Sequence, residues 1–205
     1  IETLQAKRIA VGENFRFGKD RKGDVLSLKR LGEQAGVDVK IIPILKDQNG
    51  RISSSRIRQA LSEGSLLEAS KLLGRSYNFR GIVEKGKGLG RKIGWPTANL
   101  KVDGRKFLPG LGVYASWAWR QSYKSPYLSI MNLGLQPTID PTAPSAVEVH
   151  LIDCNDDLLG EQLTIEPVKR LRGQNKFTSL DELSKQIGID KANAKSILKN
   201  PGTNS

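Results

Sequence analysis

Two side chains that build metal centres and general-base sites are almost missing from this sequence. It holds one cysteine, Cys154, and one histidine, His150, in 205 residues. A single cysteine excludes an internal disulfide framework and a cysteine-rich zinc site within one chain. A single histidine excludes a multi-histidine metal cluster, so histidine acid–base chemistry would have to use His150. Long apolar runs are absent too: none approaches the ~18–20 residues that span a bilayer. Residues 1–8 lack the charged start, apolar stretch and small-residue cleavage site of a secretory leader. No Asn-x-Ser/Thr acceptor occurs. A reducing, cytoplasmic setting without a membrane partner is the expectation. Aromatic residues make up only 6%, and no stretch matches the aromatic signature of an RNA-recognition sheet. The chain opens on Ile1 rather than methionine, as expected of a fragment or a processed product.

What is present is charge of one sign. Lys and Arg number 33 against 21 Asp and Glu, a net charge of +12. Such a surplus suits phosphate-bearing partners of any size, from ATP to RNA. Hydrophobic residues reach 38%, enough for a core. At roughly 150 residues per domain, this length predicts one large domain or two small ones.

Periodicity divides the chain near residue 75. Lys7 to Val11 reads as a strand running into the loop Gly12 to Gly18. Leu26 to Ala35 reads as a helix ended near Gly36, and Val37 to Pro43 as a β-branched strand. Ser53, Ser54 and Ser55 precede Ile57 and Leu61, an i, i+4 pair, as serines do at a helix start. A further helix spans Leu66 to Leu73, stopped by Gly74. This alternation implies an α/β layer. After Tyr77 come short strands at Asn78 to Lys85, Gly112 to Arg120, Tyr127 to Leu133, Ala146 to Asp153 and Gln162 to Leu171. Frequent strands with Gly and Pro between them imply an antiparallel barrel or sandwich. At the end, Ser179 to Glu182 fits a capping box, and Asp190 is placed to cap a separate last helix through Leu198.

The densest chemistry lies in Gly86-Lys87-Gly88-Leu89-Gly90-Arg91-Lys92 and the Pro96-Thr97-Ala98-Asn99 that follows. Closely spaced glycines let several backbone N–H groups face one anion, and the basic residues add fixed positive charge. Neither standard phosphate fingerprint applies. Gly88 stands where a P-loop needs Ser or Thr, and Gly94 falls one residue too late for the dinucleotide pattern. On an extended chain Thr97 and Asn99 face the same side and offer hard oxygens, suited to a magnesium ion that also grips phosphates. In Ala146 to Asp153, Val147, Val149 and Leu151 share one face, while Glu148 and His150 share the other. A carboxylate on such a strand could serve as a general base. Asp153 to Asp157 starts like a calcium loop, but Leu158 and Thr164 stand where Gly and Glu are needed, so the segment reads as a hairpin turn.

The order of these motifs is similar to that of riboflavin kinases. The resemblance rests on Gly86 to Arg91, Pro96 to Asn99, Gly112-Val113-Tyr114-Ala115, Asn132-Leu133-Gly134, Pro137-Thr138, Val147 to His150 and Lys176-Phe177. The first part resembles the adenylyltransferase half of bacterial bifunctional riboflavin kinase/FAD synthetases. It does so through Val11 to Gly18, Arg21 to Asp24 and Ile52 to Arg58. The resemblance implies a partial Rossmann-like α/β domain over residues 1–75. It implies a six-stranded antiparallel Greek-key β-barrel with C-terminal helices over residues 76–200.

The resemblance also implies the roles. Gly86, Lys87, Gly88, Gly90 and Arg91 would wrap the ATP phosphates. Thr97 and Asn99 would hold Mg²⁺. Glu148 would take the proton from the ribityl 5′-hydroxyl of riboflavin, giving FMN. Arg172 and Gln174 would lie on the segment closing over the flavin. Asn14, Arg16, Ser53, Ser54, Ser55 and Arg58 would be the remnant of the adenylyltransferase nucleotide site, with Ser53 to Arg58 offering helix N-terminal amides to a phosphate. Partners would be small molecules, not nucleic acid. Gln174, Gln136 and Leu159 depart from the family's usual Glu, Arg and Tyr, which bears on flavin affinity and loop closure.

Two other readings compete. A basic barrel could bind nucleic acid along Lys87, Arg91, Lys92, Lys101, Arg105 and Lys106, with steeply salt-dependent affinity and no flavin dependence. A flavin carrier would bind flavin without consuming ATP. The family's adenylyltransferase half uses a His-x-Gly-His segment, whereas this sequence has one histidine, in the other half. This chain is therefore expected to convert riboflavin to FMN but not FMN to FAD. Chromatography of FMN, ATP and Mg²⁺ incubated with it should show no FAD, and turnover comparable to its kinase rate would overturn that expectation.

Overall fold

The computed structural model describes residues 5–86, 88–121, 123–134 and 146–199. Two compact units divide the chain, one ending at Ser53 and the other beginning at Ser54. The helix expected around Ile57 therefore belongs with the second unit.

The first unit is a βαβ arrangement. Strand β1 (Arg8–Gly12) pairs in parallel with β2 (Asp38–Ile42), and helix α1 (Val25–Gln34) connects them. Asp24 caps α1 by accepting the Ser27 N–H at 2.8 Å, which holds the Asp24 carboxyl below its usual range. A short hairpin follows, β3 (Lys46–Asp47) and β4 (Gly50–Arg51), which sequence periodicity does not reveal.

The second unit starts with helices α2 (Ser54–Glu63) and α3 (Leu66–Leu73). Gly74 ends α3 in the left-handed conformation, φ 68°, which a side chain would strain. Ala60, Leu61, Leu66 and Ala69 pack into one core with Tyr77 and Phe79. That shared core, absent from any local pattern, is what ties both helices to the barrel.

Six strands close the barrel: β5 (Phe79–Glu84), β6 (Ala98–Val102), β7 (Gly112–Arg120), β8 (Tyr127–Gly134), β9 (Ala146–Leu151) and β10 (Gln162–Arg172). Around it the order is β10-β5-β6-β9-β8-β7, every neighbouring pair antiparallel. Alternation selects the interior. Phe79 and Val83, Leu100 and Val102, Met131 and Leu133, Val147 and Val149, and Leu163 and Ile165 all point inward and are buried. Ser116 and Ser129 are directly paired across β7 and β8, and their hydroxyls satisfy each other at 2.8 Å. Strand β7 is buried on both faces, because Val113 and Ala115 on its outer side lie under helix α5 (Leu180–Lys199) with Ala194 and Leu198.

Three expectations are corrected. Helix α5 is one helix of 20 residues, not two. Asp190 does not cap a second one; it is buried mid-helix against the Arg172 guanidinium, with contacts of 2.8–3.1 Å. The segment after β9 is not a hairpin turn. Strand β9 pairs with β6 and β8 while β10 pairs with β5 and β7, so residues 152–161 must cross the barrel end. Thr97 to Asn99 runs into strand β6, in keeping with an extended chain there, although periodicity marks no strand at that place. At the α5 start, Ser179 Oγ accepts the Glu182 N–H at 3.1 Å as expected of a cap, whereas Glu182 reaches back to Thr178 rather than Ser179.

The Arg172–Asp190 pair is enclosed, with side chains 18% and 3% exposed. Asp190→Ala would leave a cation without its partner, at a cost of about 3–5 kcal/mol. Thermal unfolding followed by circular dichroism should show a large fall in midpoint, and an unchanged midpoint would contradict this.

Candidate active site

One end of the barrel carries an open cavity of about 670 Å³, within the range of nucleotide-sized sites. Its walls come from four places, the inward-facing Val149 and Leu151 of β9 being one of them. Val83, Glu84, Lys85, Gly86, Gly88 and Arg91 supply the end of β5 and the glycine-rich loop. Thr97 and Asn99 supply the entry to β6, and Asn155 to Leu159 the crossing segment. Lys87 lies outside the described residues, as do Gln136, Pro137 and Thr138.

Glycine is required here by close approach rather than by flexibility. A Cβ on Gly86 would overlap the Asn99 side-chain amide. One on Gly90 would collide with the Trp95 carbonyl and come within 3.3 Å of Thr97 Oγ1. The loop therefore lies directly over the hydroxyl and the amide, which no bulkier sequence would allow. After Gly88, a four-residue helix α4 (Leu89–Lys92) turns the chain back towards Trp95.

Strand register places the other residues. Asn99 is directly opposite Glu148, and Glu148 is directly opposite Asn132. Directly paired residues share a face. Their neighbours Ala98, Val149, Met131 and Leu133 fill the interior, so Asn99, Glu148 and Asn132 form one row on the outer face of β6, β9 and β8. At ~4.8 Å per strand, such a row spans about 10 Å. Gln174 continues it, its Nε2 donating to Asn132 Oδ1 at 2.8 Å and to the Leu133 carbonyl at 2.6 Å. Arg172 is directly opposite Val113, itself opposite Asn132, so it lies on the same outer face, where Asp190, the Gly173 carbonyl and the Phe177 ring occupy its guanidinium.

His150, two residues beyond Glu148, is structural. Its Nδ1 lies 2.8 Å from the Pro96 carbonyl, so Nδ1–H donates and tethers the Pro96-Thr97 segment to β9. Burial pushes its pKa below the usual value, and Nε2 is enclosed without a partner among the described residues. The Trp95 ring meets it edge-on and is pinned in turn to α5, through Ser184 at 2.9 Å.

The expected adenylyltransferase residues separate. Asn14 and Arg16 stand on the loop after β1 in the first unit, with Arg16 3.8 Å from Asp24. Ser53 ends that unit, whereas Ser54, Ser55 and Arg58 lie on the first turns of α2 in the second. Neither unit assembles that set by itself. Along the alternative basic track, Lys101 pairs with Glu84 at 3.1 Å, Arg105 with Asp103 at 2.6 Å, and Lys106 lies over the Tyr77 ring.

Two parts of the site escaped sequence reasoning. Asn132 was legible as a motif residue, but its place beside Glu148 depends on which strands pair. The Asn155 to Leu159 wall overlaps the Asp153 to Asp157 stretch that reads as a turn, because barrel order is not written in local pattern. Leu159 stands on this wall.

Known proteins agree with this architecture. Residues 73–198 match the model of the riboflavin kinase family (Flavokinase), and residues 1–56 match that of FAD synthetase. The bifunctional riboflavin kinase/FMN adenylyltransferase of Escherichia coli is 38% identical over 195 residues, covering 95% of this chain and 61% of that protein. The protein of the same name in Bacillus subtilis is 36% identical over 194 residues, covering 93% and 60%. A crystal structure described as a macrolide-efflux protein from Streptococcus pneumoniae superposes with a TM-score of 0.81 at 36% identity, covering 95% of this chain and 62% of that one. Among the described residues, no helix is long and apolar enough to cross a membrane. The chain spans about 61% of the length of the first of these relatives. With a family model covering more than half of its residues and a closed six-stranded barrel behind it, the chain belongs to the riboflavin kinase family.

Proposed function

We propose that this chain transfers the γ-phosphate of ATP to the 5′-hydroxyl of riboflavin, giving FMN and ADP. The observation that carries the reading is the row Asn99–Glu148–Asn132, with the glycine-rich loop at one end and Gln174 at the other. Phosphoryl transfer asks a protein for positioning, charge neutralisation at the phosphates and a base at the attacking hydroxyl. The row supports one group for each need, in the order the reactants would lie.

The nucleotide would occupy the cavity, its phosphates under Gly86, Gly88 and Gly90, with Lys87 and Arg91 adding positive charge. The flavin's ribityl chain would enter from the Asn132–Gln174 end. Glu148, between them, accepts the 5′-hydroxyl proton as the new O–P bond forms and the bond to ADP breaks. Asn132 and Gln174 orient the chain by hydrogen bonds, while Arg172, fastened to α5, holds the segment that carries Gln174. Thr97 and Asn99 fit a magnesium ion by chemistry: both present neutral hard oxygens beside the phosphate loop. No group of three or more acidic, histidine or cysteine side chains among the described residues forms a cage. Phosphate oxygens and water would therefore complete the shell, and the ion would supply charge neutralisation.

The match of residues 1–56 to the FAD synthetase family supports adenylyl transfer from ATP to FMN as the second activity of a full-length protein. Asn14, Arg16 and Ser53 of the first unit, and Ser54, Ser55 and Arg58 of the second, would be its nucleotide-binding residues. A reducing, cytoplasmic setting with small-molecule partners accords with both activities.

The deciding experiment incubates the protein with riboflavin, Mg²⁺ and ATP and separates the flavins by chromatography. FMN should accumulate in step with ADP; flavin binding without ADP release would mean a carrier, and the proposal would fail. Glu148→Ala should lower kcat by roughly 10²–10⁴-fold, the range for a lost general base, with nucleotide affinity little changed. Near-normal turnover would remove the assigned base. Thr97→Ala and Asn99→Ala should each weaken Mg²⁺-dependent ATP binding by roughly tenfold, about 1.4 kcal/mol, in calorimetric titrations. Affinity that is unchanged in both would remove the metal clamp.

A further inference from the structure

The crossing segment between β9 and β10 forms one wall of the cavity, yet it has no strand or helix of its own to hold it. Besides its own turn hydrogen bonds, one buried cation holds it from behind. Arg120, the last residue of β7, has a side chain only 7% exposed and does not line the cavity. Its Nε and Nη2 donate to the two carboxylate oxygens of Glu161 at 3.0 and 2.7 Å. Its Nη1 donates to Asp156 Oδ2. The rings of Tyr123 and Tyr127 lie 4.3 and 5.9 Å from its guanidinium carbon.

Each anchor leads to the cavity. Asp156 is a wall residue, flanked by Asn155, Asp157, Leu158 and Leu159. Glu161 accepts the Val83 N–H on its carbonyl at 2.9 Å, and Gly160 N–H donates to the Val83 carbonyl at 2.9 Å. Val83 and Glu84 are the last residues of β5, immediately before the glycine-rich loop. Asp156, on the wall, would otherwise stand as an unpaired carboxylate beside a polyanion. A planar fork satisfies both of them and fixes their geometry, which a lysine ammonium would not do.

We infer that Arg120 is a positioning residue for the nucleotide: it sets the crossing segment against the root of the glycine-rich loop and offsets one of the two negative charges carried by Asp156 and Glu161. The inference rests on the kinase reading above and extends it to a residue remote from the reacting atoms. Because Glu148, Asn132 and Gln174 do not line the cavity that Arg120 braces, losing Arg120 affects the nucleotide and spares both chemistry and flavin.

Steady-state kinetics of Arg120→Met, with riboflavin and MgATP varied separately, test this. KM for MgATP should rise about tenfold, while kcat and KM for riboflavin stay within twofold. Arg120→Lys should not restore it. Equal losses in all three constants, or an unchanged KM for MgATP, would overturn the inference. Should Arg120→Met fail to fold, Glu161→Ala decides: it keeps Arg120 paired with Asp156 and should raise KM for MgATP about threefold, with no rise counting against the inference. Calorimetric titration with MgADP separates the two readings. A wild-type protein that makes no FMN defeats the kinase proposal alone, whereas equal MgADP affinity in wild type and Arg120→Met defeats the role of Arg120.

Discussion

The pairing of β9 between β6 and β8 is the constraint on which the site depends. A strand's side chains alternate with period two, so a slip of one residue would turn Glu148 into the barrel and Val149 out to solvent. The interior prevents such a slip. Val147, Val149 and Leu151 are fully enclosed with Leu100, Met131 and Leu133, and a carboxylate in that space would have no partner. Apolar burial on one face thereby fixes the chemistry on the other. The carboxylate faces Asn99 and Asn132 because three valine and leucine side chains face inward.

Two kinds of support surround that row. At the Asn99 end, the loop approaches Asn99 and Thr97 so closely that only glycine fits at residues 86 and 90. At the Asn132 end, Gln174 is fastened to Asn132, and the nearby Arg172 is fastened to Asp190 on α5. Helix α5 also holds Trp95 through Ser184, and Lys191 lies over the Trp95 ring. One helix thus braces the segments at both ends of the row, while His150 ties Pro96 to β9.

Much of this was legible in the sequence, and the reason is that local rules apply to its parts. Alternation gave Glu148 and His150 a common face, and the i, i+2 relation did the same for Thr97 and Asn99. Gly74 and Ser179 announced helix ends. What was not legible depends on pairing at a distance. Asp190 looked like a cap because an acidic residue before a helical pattern usually is one, and only the buried Arg172 across the fold makes it an ion-pair partner. The Asp153 to Asp157 stretch looked like a turn because turn residues crowd it; its crossing follows from strand order alone. Strand β6 was masked by the proline and glycines that precede it. The motif resemblance supplied the roles, but not the row that relates them.

A structure of the protein with MgADP and riboflavin bound, obtained by crystallography, tests the central claim most directly. The account predicts the riboflavin 5′-hydroxyl within hydrogen-bond reach of a Glu148 carboxylate oxygen, about 2.6–3.2 Å, with the nucleotide's phosphates under the glycine-rich loop on the Asn99 side. A ribityl chain that ends away from Glu148, or phosphates bound elsewhere on the barrel, would contradict it.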